Sequence, residues 1–258
     1  MRDTPQMFDR PSDELSLVHL TRTPEALPPP GGRPPLLALL HGVGSNERDL
    51  FRLAPRLDAR FVVLSLRAPL VRGPESFAWF NAEHTPRGTV IAPEQIMASR
   101  DHIARFLGEA VEAYAADPER VYLLGFSQGA IMSLTLALTR PEHTAGIAPI
   151  AGRIPPEVLP ELAAAEQTAG LPVLLQHGTA DTVLAIDWAR KARAVLERQR
   201  VDLTYHEYEA GHQITPGMLA EAARWLAARL DGPAWRAGES SPPGPLSVRG
   251  EGRLSGDA

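Results

Sequence analysis

Val121-Tyr-Leu-Leu-Gly-Phe-Ser-Gln-Gly-Ala130 is the stretch whose reading decides the fold. Val121 to Phe126 is an apolar run of strand length, and 130–139 beyond it reads as a buried helix. Between them lies Gly125-Phe126-Ser127-Gln128-Gly129, a G-x-S-x-G turn. A strand, a sharp turn with a serine at its tip and a helix make a nucleophile elbow. Ser127 must take a strained backbone angle to lift its hydroxyl above the sheet, so its neighbours two positions away must lack side chains. The helix then starts beneath the serine and points its first N–H groups at developing negative charge.

Outward from the elbow, the chain alternates strands with helices. Leu36-Leu-Ala-Leu-Leu40 is a continuous apolar run, as in a strand buried on both faces of a parallel sheet. Residues 61–66, 146–151, 171–177 and 203–208 read as further strands, and 15–20 as an edge strand. Helices are predicted over 47–57, 93–116, 186–199 and 216–230, with a short helical excursion over 155–168. Pro24 to Pro35 holds six prolines and two glycines and must be a loop. The long connection over 71–93 carries Phe77-Ala-Trp-Phe-Asn81, and a loop of that length inside a domain is usually functional. The pattern predicts an α/β class with a mostly parallel central sheet of about seven strands and helices on both faces.

Three parts are expected: a poorly ordered N-terminus over 1–14, a folded domain over 15–233 and a tail over 236–258. Twelve of the 23 tail residues are Gly, Pro or Ser, a composition that cannot bury a core and predicts disorder.

The 258 residues suit one α/β domain with a core large enough to stand without staples. A formal net charge of −5 gives no footprint for nucleic acid. No cysteine is present, which excludes disulfides, a thiol nucleophile and cysteine-ligated metal. No apolar run reaches transmembrane length, and residues 1–14 show no apolar leader, so a cytoplasmic location is the default expectation.

An elbow serine is inert without a base and a group that orients the base. In a hydrolase built on such an elbow they follow in the order serine, acid, histidine. The strand over 171–177 runs into Gly178-Thr-Ala-Asp181, and that over 203–208 into Glu209-Ala-Gly-His212. Both lie at the C-terminal ends of strands, where open α/β sheets place their ligands. The catalytic assignment is therefore Ser127 as nucleophile, His212 as general base then acid, and Asp181 as orienting carboxylate. Asp187 falls at a helix start, His206 falls within a strand, and His177 shapes the acid loop. His206-Glu207 with His212 is spaced two positions too far for a zinc helix motif, so no metal is expected. The oxyanion should meet the backbone N–H of Gln128 and one from the His41-Gly42-Val43 loop, for which Val43 is preferred.

With these pieces in place, the chain resembles the phospholipase/carboxylesterase family of α/β-hydrolases, which also contains acyl-protein thioesterases. The resemblance rests on His41-Gly-Val-Gly-Ser-Asn46, Ala78-Trp-Phe-Asn81, Gly125-Phe-Ser-Gln-Gly-Ala130, His177-Gly-Thr-Ala-Asp-Thr-Val183 and Gly211-His-Gln-Ile214. It departs from the family pattern at Ala185, where a proline often closes the acid loop, and at Ala151, where a serine is common. It implies an α/β-hydrolase fold without a large cap domain, a carboxylesterase acting on a small-molecule ester without a cofactor, and Val43 and Gln128 as oxyanion donors. Homodimers are frequent in such a family, so a homodimer is a possible assembly. The alternatives are an acyl thioesterase or lysophospholipase on the same triad, or an inactive binding module. Trp79, Phe80 and Trp188 are candidates for an apolar acyl site, against the alternative that Trp79 and Phe80 pack their own loop.

Overall fold

The computed structural model describes residues 7–26, 32–85 and 88–238. In chain order, β1 (Met7–Ser12) and β2 (His19–Arg22) lead to β3 (Leu36–Leu40), α1 (Glu47–Phe51) and β4 (Val62–Leu66). Two hairpins follow, β5 (Leu70–Gly73) with β6 (Ser76–Ala78) and β7 (Ala82–Thr85) with β8 (Gly88–Ile91), then α2 (Pro93–Ala113). The second half alternates β9 (Val121–Phe126), α3 (Gln128–Thr139), β10 (Gly146–Ile150), α4 (Ala165–Thr168), β11 (Pro172–Gly178), α5 (Ile186–Arg198), β12 (Asp202–Tyr208) and α6 (Pro216–Leu230).

The main sheet has the order β1-β2-β4-β3-β9-β10-β11-β12, parallel from β4 to β12 and antiparallel at β1 and β2. Each inner apolar strand feeds two cores, because successive side chains leave opposite faces. Leu36, Ala38 and Leu40 of β3, with Leu123, Ile147, Val173 and Leu175, pack in one cluster with Ile103 and Phe106 of α2, Leu134 of α3 and Leu196 of α5. Leu37 and Leu39, with Val63, Leu124 and Leu174, pack on the other face with Leu50 and Phe51 of α1 and Leu219 and Leu226 of α6. A run such as Leu36–Leu40 has no polar face because the sheet offers it no solvent.

The structure departs from the sequence reading in four places. Met7–Ser12, inside the stretch expected to be poorly ordered, pairs antiparallel with β2, so the sheet has eight strands among the described residues. The strand expected over 15–20 is displaced to His19–Arg22 and lies one place in from the edge, between β1 and β4. The helix expected over 47–57 breaks after Phe51, and a 3-10 turn over Ala54–Arg56 takes Pro55, whose ring cannot continue an α-helix. The long connection over 71–93 is folded into the two hairpins. The tail beyond Gly238 and residues 1–6 lie outside the described residues.

The strand order reverses at β3. From it the chain moves outward to β4, and β9 returns on the other side. The loops after β3 and β9 therefore diverge and leave a crevice at the C-terminal ends of the strands, the place where such sheets bind ligands. The loop after β3 holds His41 to Ser45 and the loop after β9 holds Ser127.

Candidate active site

Ser127 sits between β9 and α3 at φ 54° and ψ −115°, a region that L-residues rarely adopt. The glycines on either side make the turn sterically feasible. A Cβ on Gly125 would lie 2.3 Å from the Gly129 carbonyl oxygen, and a Cβ on Gly129 would lie 1.9 Å from the carbonyl oxygen of Leu40 in β3. The Ser127 N–H donates to the Ile150 carbonyl at 3.0 Å, which ties the elbow to the end of β10.

The three residues assigned to the triad come together from loops far apart in sequence. His212 Nε2 lies 2.9 Å from Ser127 Oγ, and His212 Nδ1 lies 2.7 Å from Asp181 Oδ2. Aspartate can only accept, so Nδ1 carries the proton and Nε2 is free to accept from the serine hydroxyl. The ring also leans on Phe126, with centroids 5.0 Å apart. Asp181 Oδ1 accepts the N–H groups of Val183 and Leu184, each at 2.8 Å. Burial alone would push the Asp181 carboxyl up. The hydrogen bonds from His212, Leu184 and Val183 outweigh it and hold the carboxyl below its ordinary value.

Two backbone N–H groups next to the serine have no protein acceptor among the described residues: that of Gln128, and that of Val43, whose neighbour Gly42 would bring an added Cβ within 3.4 Å of the Ser127 Cβ. The Val43 N–H makes no hydrogen bond among the described residues, while its neighbours Gly44 and Ser45 donate to Phe77 and Gly42. The Gln128 N–H is the first of α3 and has no intrahelical partner. Val43 itself is half exposed.

Several features that hold the site in shape were not read from the sequence. The Gln128 side chain accepts the Trp79 N–H at 2.9 Å and donates to the Phe80 carbonyl at 2.7 Å. Ser99 of α2 donates its hydroxyl to the Trp79 carbonyl, and the Trp79 indole N–H donates to the His41 carbonyl at 2.9 Å. His41 Nδ1 donates to the Gly42 carbonyl at 2.7 Å and Nε2 accepts the Ala68 N–H at 3.1 Å. Burial pushes His41 below the ordinary imidazole value, so it stays neutral and holds this tautomer. Phe77 closes the other side, donating its N–H to the Ser45 carbonyl at 2.9 Å and accepting the Gly44 N–H at 2.8 Å. The sequence signals that bear on this network are the length of the connection that carries Trp79 and the family-like segments around His41, Trp79 and Gln128, none of which shows the contacts themselves.

Of the three aromatic candidates, Trp79 and Phe80 are fully buried in the core and do not line a cleft. Trp188 is half-buried in the first turn of α5, with Arg153 and Lys191 over its ring. Asp187 is exposed and lies 3.7 Å from Arg190, and His206 pairs with Glu221 at 2.5 Å; neither joins the site. His177 is buried beside the acid, with Nε2 donating to the Leu184 carbonyl at 2.7 Å and 3.4 Å from Asp181 Oδ2.

A strained serine elbow at the switch point of a mostly parallel sheet, with helices on both faces, defines the α/β-hydrolase fold. The sequence model of the phospholipase/carboxylesterase family matches residues 28–230, and the chain belongs to that family. NocK from Nocardia uniformis subsp. tsuyamanensis is 33% identical over 181 residues, which cover 68% of this chain and 48% of NocK, so the chain spans about half the length of that relative. Esterase PE8 is 29% identical, with a TM-score of 0.68 over 77% of this chain and 94% of that one. The Bacillus cereus carboxylesterase has the same fold, with a TM-score of 0.71 at 24% identity over 82% of this chain and 94% of that one. No helix among the described residues is long and apolar enough to cross a membrane.

Proposed function

We propose that the protein is a serine hydrolase that cleaves small-molecule carboxylic esters through a covalent acyl-enzyme, with no cofactor. One observation carries the reading. The chain Ser127 Oγ, His212 Nε2, His212 Nδ1, Asp181 Oδ2 runs unbroken at 2.9 and 2.7 Å beside two unpaired backbone N–H groups.

In this reading the Ser127 hydroxyl attacks the ester carbonyl carbon as His212 Nε2 takes its proton. The carbonyl oxygen becomes an oxyanion and accepts the Val43 and Gln128 N–H groups, each worth roughly 3–4 kcal/mol in such sites. Asp181 stays ionised, holds the imidazole tautomer and stabilises the imidazolium. His212 returns the proton to the departing alkoxide, which leaves as the alcohol. Water then attacks the acyl-enzyme by the same route, and the carboxylic acid leaves with Ser127 restored.

The test is hydrolysis of 4-nitrophenyl esters of graded acyl length, with Ser127→Ala as the blank. Turnover should fall roughly 10⁶-fold in the variant. Residual activity within tenfold of wild type would remove Ser127 from its role. Matched thioesters in the same assay decide between ester and thioester preference.

A further inference from the structure

Arg153 is buried, with 6% of its surface exposed, yet it has no hydrogen bond or ion pair among the described residues. Its guanidinium carbon lies over the Trp188 ring, 4.5 Å from the centroid. Its guanidinium nitrogens are not among the side-chain atoms fully buried without a partner, so its N–H donors reach solvent and are open to an acceptor. Burial also pushes this guanidinium below its ordinary value. An arginine set over an aromatic ring with its donors unpaired presents them to a planar, charged acceptor that the described residues do not supply.

Its position connects it to the site. Arg153 lies three residues beyond Ile150, whose carbonyl holds the Ser127 N–H, and one beyond Gly152, where an added Cβ would touch Ala130 in the first turn of α3 at 2.6 Å. Its guanidinium reaches to Trp188, which opens α5 directly after the Asp181 loop. It therefore links the segment that follows β10, the strand that holds the elbow, to the helix that follows the acid loop.

A second group sits nearby. Glu157 is the carboxylate that opposes the effect of burial on Arg153, and its Oε2 is buried without a partner. The two side chains lie beyond ion-pair distance of each other. A positive charge offset in part by a neighbouring carboxylate suits a singly charged acceptor better than a doubly charged phosphate monoester.

We propose that Arg153 is a specificity-determining residue that binds a carboxylate carried by the ester substrate, so that the preferred substrates are anionic esters. This rests on the ester-hydrolase reading above, and the experiment separates the two.

The measurement is the ratio of kcat/KM for the mono-4-nitrophenyl ester of adipate to that for 4-nitrophenyl hexanoate, which differ by one terminal carboxylate. Arg153→Gln should lower this ratio roughly 10- to 100-fold, the range for a hydrogen bond to a charged group. Arg153→Lys should keep part of the preference, and Glu157→Gln should raise it. Equal losses on both esters, or a ratio that does not respond to Glu157→Gln, would make Arg153 and Glu157 a structural pair and overturn the proposal. A preference for inorganic phosphate over adipate as competitive inhibitor would overturn the carboxylate assignment. Calorimetric titration of adipate into Ser127→Ala, with and without Arg153→Gln, reads the same contact without turnover. Arg153-dependent adipate binding in a protein that hydrolyses no ester would sink the hydrolase reading and leave the anion site standing. Ser127-dependent hydrolysis with an unchanged ratio in Arg153→Gln would do the reverse.

Discussion

Gln128 pins the Trp79 backbone and its successor with the two ends of one side-chain amide, accepting the Trp79 N–H at 2.9 Å and donating to the Phe80 carbonyl at 2.7 Å. The residue whose backbone N–H faces the proposed oxyanion site thus also pins the connection over 71–93 to the elbow. The Trp79 indole N–H in turn donates to the His41 carbonyl, so the loop after β3 and the loop after β9 are held through one tryptophan, by its indole and its backbone N–H respectively.

Gln128→Ala would leave the Trp79 N–H and the Phe80 carbonyl buried without partners. At about 1–3 kcal/mol for each orphaned group, the variant should lose about 2–6 kcal/mol of stability. Its backbone N–H is intact, so any fall in kcat reports the position of the loops. Urea denaturation and ester turnover measure the two effects, and a variant as stable as wild type would show that the amide contacts carry no weight.

The positive φ at Ser127 predicts a gain from removing its Cβ. Strain at such an angle costs about 1–3 kcal/mol, and glycine gives back about 1 kcal/mol in unfolded-chain entropy. Ser127→Gly should therefore be more stable than Ser127→Ala by about 1 kcal/mol, with both inactive. Thermal melts of the two variants compare them directly, since both lack the hydroxyl. Equal melting would mean that the strain at the elbow does no more than offset the glycine entropy of about 1 kcal/mol.

Asp181→Asn should cost roughly 10⁴-fold in kcat, because an amide donor facing Nδ1 favours the wrong imidazole tautomer. Its stability effect carries a pH signature. Burial would raise the Asp181 carboxyl, but the His212, Leu184 and Val183 hydrogen bonds hold it below its unfolded value. Stabilisation from a depressed carboxyl is complete above its unfolded titration, near about 4, and is lost as pH falls through the lower folded value. The stability gap between wild type and Asp181→Asn should be full at neutral pH and close on acidification. A gap independent of pH between about 7 and about 2 would contradict the depression.

Glycine positions make a paired test. Gly129→Ala would place a Cβ 1.9 Å from the backbone oxygen of Leu40, and no side-chain rotation relieves a clash with a central strand. A loss of about 3–5 kcal/mol is expected, if the variant folds. Gly108 lies on the exposed side of α2, and a Cβ added there would meet nothing within 4 Å, so Gly108→Ala should stabilise by up to about 1 kcal/mol. Denaturant midpoints of the two variants should move in opposite directions.

The sequence by itself determined the alternation of elements from β3 onward, the elbow and the chain order of Ser127, Asp181 and His212. Those signals are local. A run such as Leu36–Leu40 is apolar throughout only if both its faces are buried, and glycines flank a serine at this spacing because the turn leaves no room for a Cβ. What only the tertiary structure decided are relationships between segments with no common period or motif. These include the added strand Met7–Ser12, the folding of 71–93 into hairpins, and the burial of Trp79 and Phe80 away from the cleft. The hold of Gln128 on Trp79, across 49 positions, and the stacking of Arg153 on Trp188 belong with them. A polar side chain's partner is set by which backbone groups packing leaves unpaired beside it, and that is settled only once the sheet, its register and its covering helices are in place.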